Sequence, residues 1–218
     1  MEHRLSLRER KKVRTRDAIV RAAMELFDQN GFDGTTIEEI AAAADVSRRT
    51  FFRYFATKEM VMFPHQSAYL AQFRELLLEG DSQEPPFAVV RRACLEMARA
   101  YMNAATEHLR QQHIIQRSRS LVARGNELDA EWEEIIAEAL TSRLGNGSQA
   151  ERRARQVAGA TLGVIRATLQ AWYASACRQN LVELGEEALS LLADGFDHQN
   201  VTFDSRPTNP ALKKNTAK

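Results

Sequence analysis

The octet at residues 47–54, SRRTFFRY, combines three arginines, three hydroxyl groups and three aromatic rings within about two helical turns. On a helix that begins at Ser47, Phe51 lies one turn before Phe55, so both rings are expected to face a core. The polar side chains left for the outer surface are Arg48, Arg49, Thr50, Arg53 and Tyr54. In the major groove of DNA, an arginine can donate twice to guanine and a threonine methyl can contact thymine. The octet is therefore typical of a helix that contacts base edges.

Two side chains at the end of the octet and just beyond it suggest contacts with the DNA backbone. Tyr54 closes this helix and Lys58 follows it. A phenol and an ammonium at these positions are expected to meet phosphates beside the groove, which would set register and not sequence preference. A single surface cation is more often simply solvated. The hypothesis of DNA binding rests on the combination of all these features within 58 residues.

A strongly basic segment precedes the first apolar repeat. Residues 1–16 contain seven Arg or Lys against two Glu, although the whole chain has a net charge of only +1. Such an arm often binds a polyanion, and a solubilising or disordered terminus is the alternative. The expected phosphate contacts of the arm are Arg10, Lys11, Lys12, Arg14 and Arg16.

The elements that must position the octet follow from the apolar pattern. Apolar residues repeat with helical spacing from Asp17 until Gly31, which can end a first helix by taking positive φ. Thr36 and Glu39 form the capping-box pattern of a short second helix. Asp45 can then adopt the left-handed conformation of a tight turn, and Ser47 can cap the third helix. The sequence therefore predicts a helix-turn-helix.

The stretch AAMELFDQNGFDGTTIEEIAAAADVSRRTFFRYFATKEMV, residues 22–61, resembles the N-terminal DNA-binding domain of the TetR family of bacterial transcriptional regulators. The match is gap-free over about 40 residues. The DNA-contacting residues that the resemblance implies are Thr36, Ser47, Arg48, Arg49, Thr50, Arg53, Tyr54 and Lys58. The chain departs from the family pattern at Asp45 and Arg49, where glycine is frequent, and at Phe52, where tyrosine is common. These departures bear on operator choice and on the orientation of the turn.

The rest of the chain also has helical periodicity, so we predict an all-α fold of about nine helices. The predicted division is a basic arm over 1–16, a three-helix DNA-binding domain over 17–60, a larger helical domain over 61–199 and a disordered tail over 200–218. In the larger domain, helices are expected over 57–79, 86–105, 107–122, 127–144, 149–178 and 182–198. Pro64 should kink the first of these or delay its start.

The resemblance implies that the larger domain binds a small effector and forms a homodimer through the last two helices. The broad apolar face of residues 157–172, the glycines Gly159 and Gly163, and the leucines of 181–192 agree with such an interface. The same leucines could instead fill only the core of one chain. Candidate pocket residues combine apolar bulk with hydrogen-bonding tips. They are Phe73, Met97, Tyr101, Met102, His113, Trp132, Thr168, Trp172 and Tyr173. Arg166 could meet an anionic group or form a salt bridge.

The sequence contains no serine-hydrolase, zinc-protease or phosphate-loop motif, so we expect neither an enzyme nor a cofactor. His108 and His113 are five residues apart, which does not suit two metal ligands on one helical face, and no metal site is predicted. No apolar run is long enough for a membrane span, and we expect a cytoplasmic protein.

We therefore predict a sequence-specific DNA-binding regulator, most simply a dimeric repressor that a small, largely apolar ligand releases from a palindromic operator. A constitutive regulator without a ligand and a helical protein-interaction module are the alternatives.

Overall fold

The computed structural model describes residues 6–79, 83–145 and 147–195. Over these residues the chain forms nine α-helices and no strand, which confirms the all-α prediction. The helices are α1 Leu7–Asn30, α2 Ile37–Ala43, α3 Arg48–Tyr54, α4 Gln66–Leu78, α5 Pro86–Met102, α6 Ala105–Ile115, α7 Arg119–Leu144, α8 Ser148–Ala174 and α9 Leu181–Asp194. A 3₁₀ turn covers Glu59–Met62. The predicted tail and the last residues of the predicted final helix lie outside the described residues.

Helix α1 begins ten residues before the predicted start at Asp17. Ser6 and Glu9 form a capping box, in which the Glu9 amide donates to Ser6 Oγ at 3.2 Å and the Ser6 amide donates to Glu9 Oε2 at 2.8 Å. From Leu7 onwards, the predicted basic arm over 1–16 is therefore part of α1. The apolar repeat begins only at Ile19, because the first turns of α1 have no core to face.

The turn between α2 and α3 has the predicted geometry. Thr36 caps α2 in a capping box with Glu39, whose amide donates to Thr36 Oγ1 at 3.2 Å. Asp45 has φ of 52°, the left-handed conformation that the turn requires. Ser47 Oγ accepts a hydrogen bond from the Thr50 amide at 3.1 Å and so caps α3. These caps fix the direction in which α3 leaves the turn.

Two predicted helix boundaries change in the larger domain. The helix expected from residue 57 starts only at Gln66, after the 3₁₀ turn and the buried Pro64, so the late start is the alternative that the structure shows. The predicted break between 122 and 127 is wrong, because α7 runs through it. Leu121 and Leu128, on either side of that segment, are both buried, and this packing holds Gly125 in the helix.

Helix α7 contributes to two hydrophobic cores. The first joins α1, α2 and α3 and is completed by Ile114 of α6 and Leu121 of α7. The second is built from α4, α5, α7 and α8. The DNA-binding helices therefore pack directly on helices of the larger domain. In the part of the chain that the structure describes, none of the helices combines the length and apolar character of a membrane span.

Candidate DNA-binding surface and ligand cavity

Helix α3 is anchored by its aromatic residues, as the spacing predicted. Phe51 is 0% exposed and Phe55 is 2% exposed, and their ring centroids are 6.0 Å apart. Arg49 and Arg53 lie on the exposed side of the helix. The buried rings thus hold the arginines outward on a rigid element, which is the geometry needed for insertion into a groove.

Arg48 is also exposed, but it is restrained by two neighbours. Its Nη1 lies 2.8 Å from Glu38 Oε1, and its guanidinium lies over the Phe52 ring at 5.6 Å from the centroid. A contact between Arg48 and a base would have to replace the ion pair with Glu38. Sequence reasoning missed this competition, since Glu38 and Arg48 belong to different helices.

The Lys58 ammonium forms hydrogen bonds within the chain. Its Nζ donates to the carbonyl oxygens of Phe32 and Thr35, each at 2.7 Å, and lies 4.2 Å from the centroid of the Phe32 ring. Phe32 is 4% exposed and Thr35 is 1% exposed, so both carbonyls belong to buried residues. The ammonium ties the loop before α2 to the segment after α3. We therefore propose that Lys58 supports the motif in place of the predicted phosphate contact.

The cations of the predicted arm form an exposed basic segment on the first turns of α1. Its members Arg10, Lys11, Lys12 and Arg14 are all exposed. Arg16 differs, because its guanidinium packs 5.4 Å from the centroid of Phe55 and is half-buried. Arg16 therefore contributes to the packing of α1 on α3.

A cavity of about 520 Å³ lies between helices of the larger domain. Six of the nine predicted pocket residues line it: Phe73, Met97, Tyr101, Trp132, Thr168 and Tyr173. Met102, His113 and Trp172 are not among its lining residues. Trp172 is fully buried and donates from Nε1 to the Gln179 carbonyl at 3.0 Å, His113 is exposed on α6, and Met102 is the last residue of α5.

One end of the cavity is formed by stacked and hydrogen-bonded rings. The His108 ring stacks on Tyr101 at 3.5 Å with an angle of 8° between the planes, and the Tyr101 and Tyr173 hydroxyls are 2.9 Å apart. Burial lowers the pKa of His108 to about 4. Burial also raises the pKa of Tyr101 well above its usual value and that of Tyr173 to about 12. All three groups are therefore neutral at pH 7.

His108 was not among the predicted pocket residues, although a sequence signal for it exists. His108, Gln111, Gln112 and Ile115 follow the spacing i, i+3, i+4 and i+7, and all four line the cavity. This mixed polar stripe is ambiguous in the sequence alone, because a solvated helix face has the same composition.

Arg166 and Asp129 form an ion pair in the cavity wall, with 3.7 Å between Nη1 and Oδ2. Of the two roles considered for Arg166, the salt bridge is the one found. Burial raises the pKa of Asp129, and the charge of Arg166 opposes that shift. Across the described residues, no group of three or more His, Cys, Asp or Glu side chains is placed to hold a metal ion.

A helix-turn-helix with outward arginines, packed on a helical domain that encloses a cavity, defines a DNA-binding regulator of the ligand-responsive kind. Comparison with known proteins agrees. Residues 19–62 match the family "Bacterial regulatory proteins, tetR family", and residues 84–197 match the "MftR C-terminal domain". The chain belongs to the TetR family.

Three relatives illustrate this membership. The chain is 30% identical to the putative mycofactocin biosynthesis transcriptional regulator MftR of Mycobacterium tuberculosis over 82% of its length and 89% of the relative's. It is 31% identical to the regulator TcmR of Streptomyces glaucescens, over 77% of this chain and 76% of that protein. The crystal structure of the repressor FadR of Thermus thermophilus, in complex with lauroyl-CoA, has 31% identity and a TM-score of 0.53, over 86% and 97% of the two chains. These relatives are transcriptional regulators and not enzymes.

Proposed function

We propose that this regulator is a homodimeric cytoplasmic repressor that a small, largely apolar ligand releases from a palindromic operator. The observation that carries the proposal is the position of helix α6. Its residues His108, Gln111 and Ile115 line the cavity, while Ile114 of the same helix completes the core of the DNA-binding motif. One rigid element thus touches both sites.

The proposed DNA contacts come from two surfaces. Base edges are contacted by α3 through Arg49, Thr50 and Arg53, and by Arg48 once it leaves Glu38. Phosphates are contacted by the cap residues Thr36 and Ser47, by Tyr54 and by the exposed cations of α1. The division at residue 60 remains useful as a description of these roles, although the core of the motif extends to α6 and α7.

One polar contact joins α6 to the DNA-binding motif, and a second joins Ser118, the N-cap residue of α7, to the same motif. Arg110 Nε lies 2.6 Å from Asp28 Oδ2 on α1, and Ser118 Oγ donates to Asp33 Oδ1 at 3.0 Å. A ligand that binds better when α6 is displaced therefore shifts the population towards a conformer with displaced α1 and α3. Recognition helices must lie about 34 to 36 Å apart for successive major grooves, so a displacement of several ångströms weakens binding. Helix α4 contributes Gln66, Tyr69 and Phe73 to the same cavity.

Dimerisation through α8 and α9 is supported by an outward face of small residues on α8. Ala160, Ala167 and Ala171 are exposed, and a Cβ placed on Gly163 would meet open space. Gly159 instead faces Glu133 of the same chain. Some leucines of α9 fill the core of the chain, and another is exposed where a second copy could contact it. Leu181 and Leu189 are buried within the chain, whereas Leu191 is exposed and available to a second copy.

The lining of the cavity supports a largely apolar ligand. Leu95, Met97, Ile136, Leu162 and Leu189 contribute to it beside the aromatic rings. The lauroyl-CoA complex of the Thermus thermophilus relative shows that a protein of this fold and similarity accommodates a long acyl chain.

Selection of bound duplexes from a random pool tests the proposal. We expect a palindrome whose half-sites are about one helical turn apart, with affinity that falls steeply as salt rises. A protein that ignores duplex DNA at low salt would support the interaction-module alternative. One that binds the palindrome but is released by no compound would support the constitutive regulator. An asymmetric single site would contradict the homodimer.

A further inference from the structure

Two buried polar atoms in the cavity wall have no hydrogen-bond partner among the residues that the structure describes. They are Nε2 of His108, a residue that is only 5% exposed, and Nε2 of Gln66. Both residues line the cavity. The centroid of the Tyr69 ring lies 6.0 Å from the centroid of the His65 ring and 6.3 Å from the centroid of the His108 ring. Buried polar groups in proteins are nearly always paired. A pair of unsatisfied atoms on one cavity therefore indicates a partner that the ligand supplies.

The hydrogen bonds of His108 define what that partner must be. Its Nδ1 lies 3.3 Å from Gln111 Oε1, an acceptor, so the ring proton is on Nδ1 and Nε2 carries the lone pair. Burial and the nearby His65 both lower the pKa of His108, which keeps the ring neutral at pH 7. Stacking on Tyr101 fixes the plane of the ring. Nε2 therefore requires a donor, whereas the amide nitrogen of Gln66 requires an acceptor.

The charges around the cavity favour a neutral ligand. Among the described lining residues, the one guanidinium or ammonium is that of Arg166, and it faces Asp129. The tyrosine hydroxyls beside His108 are paired with each other. An anionic group at the His108 end would thus be desolvated without a cation to neutralise it.

We propose that the effector is a neutral, largely apolar molecule with a hydroxyl group, a phenol or an alcohol. The hydroxyl donates to Nε2 of His108, and the hydroxyl oxygen, or a second oxygen beside it, accepts from Nε2 of Gln66. This inference rests on the proposed function, since it takes the cavity as the effector site. A hydroxyl is the smallest group that both donates and accepts.

A series of three probes tests the proposal on the wild-type protein. The probes are 4-octylphenol, 4-octylanisole, which keeps an acceptor oxygen but has no donor, and 1-fluoro-4-octylbenzene, which is smaller than the anisole. Calorimetric titration should give a Kd for the phenol about tenfold or more below those of both analogues, because each analogue leaves Nε2 of His108 unpaired. Weak binding of the smaller fluoro compound would show that the anisole binds weakly because it lacks the hydrogen bond to His108, and not because its methoxy group is too large for the cavity.

Two pairs of variants assign the effect to the named atoms. His108→Phe keeps a ring on Tyr101 but removes Nε2, and His113→Phe is its control on the exposed side of the same helix. Gln66→Leu is matched by Gln72→Leu, an exposed position on the same helix α4. In His108→Phe the preference for the phenol over the anisole should shrink to about twofold or less, and in both controls it should stay unchanged. Gln66→Leu should weaken the phenol and the anisole alike, because both carry the acceptor.

Three results would overturn the inference: equal binding of phenol and anisole to the wild type, an unchanged preference in His108→Phe, or binding of none of the three probes. Tight binding of lauroyl-CoA that His108→Phe does not affect would also count against it. Release of the selected palindrome from the protein is measured in parallel. If lauroyl-CoA releases the operator while the phenol does not, the proposed function stands and the hydroxyl inference fails.

Discussion

Replacement of Lys58 by methionine separates a structural role from a DNA contact. The variant keeps most of the length of the side chain and removes the ammonium, which donates two hydrogen bonds of 2.7 Å. Hydrogen bonds to charged groups contribute about 1.5 to 3 kcal/mol each. The contact with the Phe32 ring adds about 0.5 to 1 kcal/mol. Lys58 is partly exposed, which reduces these values, so we expect a loss of about 2 to 4 kcal/mol in the free energy of unfolding.

Urea unfolding followed by circular dichroism measures this loss, and DNA binding well below the melting temperature provides the second measurement. The salt dependence of operator binding should keep its slope in Lys58→Met, since the ammonium neutralises no phosphate. Lys12→Met is the matched control on the exposed basic segment of α1. It should change stability by less than about 0.5 kcal/mol and reduce the slope by about 0.9. The assignment is refuted if Lys58→Met unfolds like the wild type and if the slope of its salt dependence falls by as much as that of Lys12→Met.

Three further outcomes follow from the same contacts. Glu38→Gln removes the partner that restrains Arg48. Because exposed ion pairs contribute at most about 1 kcal/mol, operator affinity in gel shifts should rise by up to about fivefold. The exposed control Glu25→Gln should leave the affinity unchanged. Arg49→Ala should weaken binding to the selected operator by about 1 to 3 kcal/mol and to a scrambled duplex by less, so equal losses would exclude base contact. The pKa of His108 is lowered to about 4 in the folded state, below the 6.5 of an unfolded histidine, so its protonation favours unfolding. The contribution of neutral His108 to the free energy of unfolding is full above about pH 6.5 and is lost as the pH falls towards 4, by up to about 3 kcal/mol. In thermal melts, the melting temperature of His108→Phe should therefore fall less over that range than that of His113→Phe.

The DNA-binding motif could be predicted from the sequence because its determinants are local. A capping box at Thr36, a left-handed Asp45 and a capping Ser47 each act within three or four residues. The spacing of Phe51 and Phe55 likewise decides which face of α3 is buried. The early start of α1 at the Ser6 capping box was equally local, but it was overlooked because the apolar pattern begins later.

Contacts between distant segments were decided only by the tertiary structure. Lys58 is 26 residues from Phe32, and its sequence position after α3 is equally compatible with a phosphate contact. Glu38 and Arg48 meet because the turn brings two helices together. In the cavity, the aromatic bulk of Phe73 and Trp132 was predictable from the sequence. The orientation of α6 about its own axis, in contrast, places His108 and not His113 in the cavity wall.

By itself, the sequence determined the helices, their caps and the face that the recognition helix presents, since these depend on hydrogen bonds and periodicity along a short stretch of chain. The tertiary structure alone decided which cations are free to meet DNA and which polar atoms remain unpaired in the cavity. Those properties depend on desolvation and on partners that only packing brings within hydrogen-bonding distance.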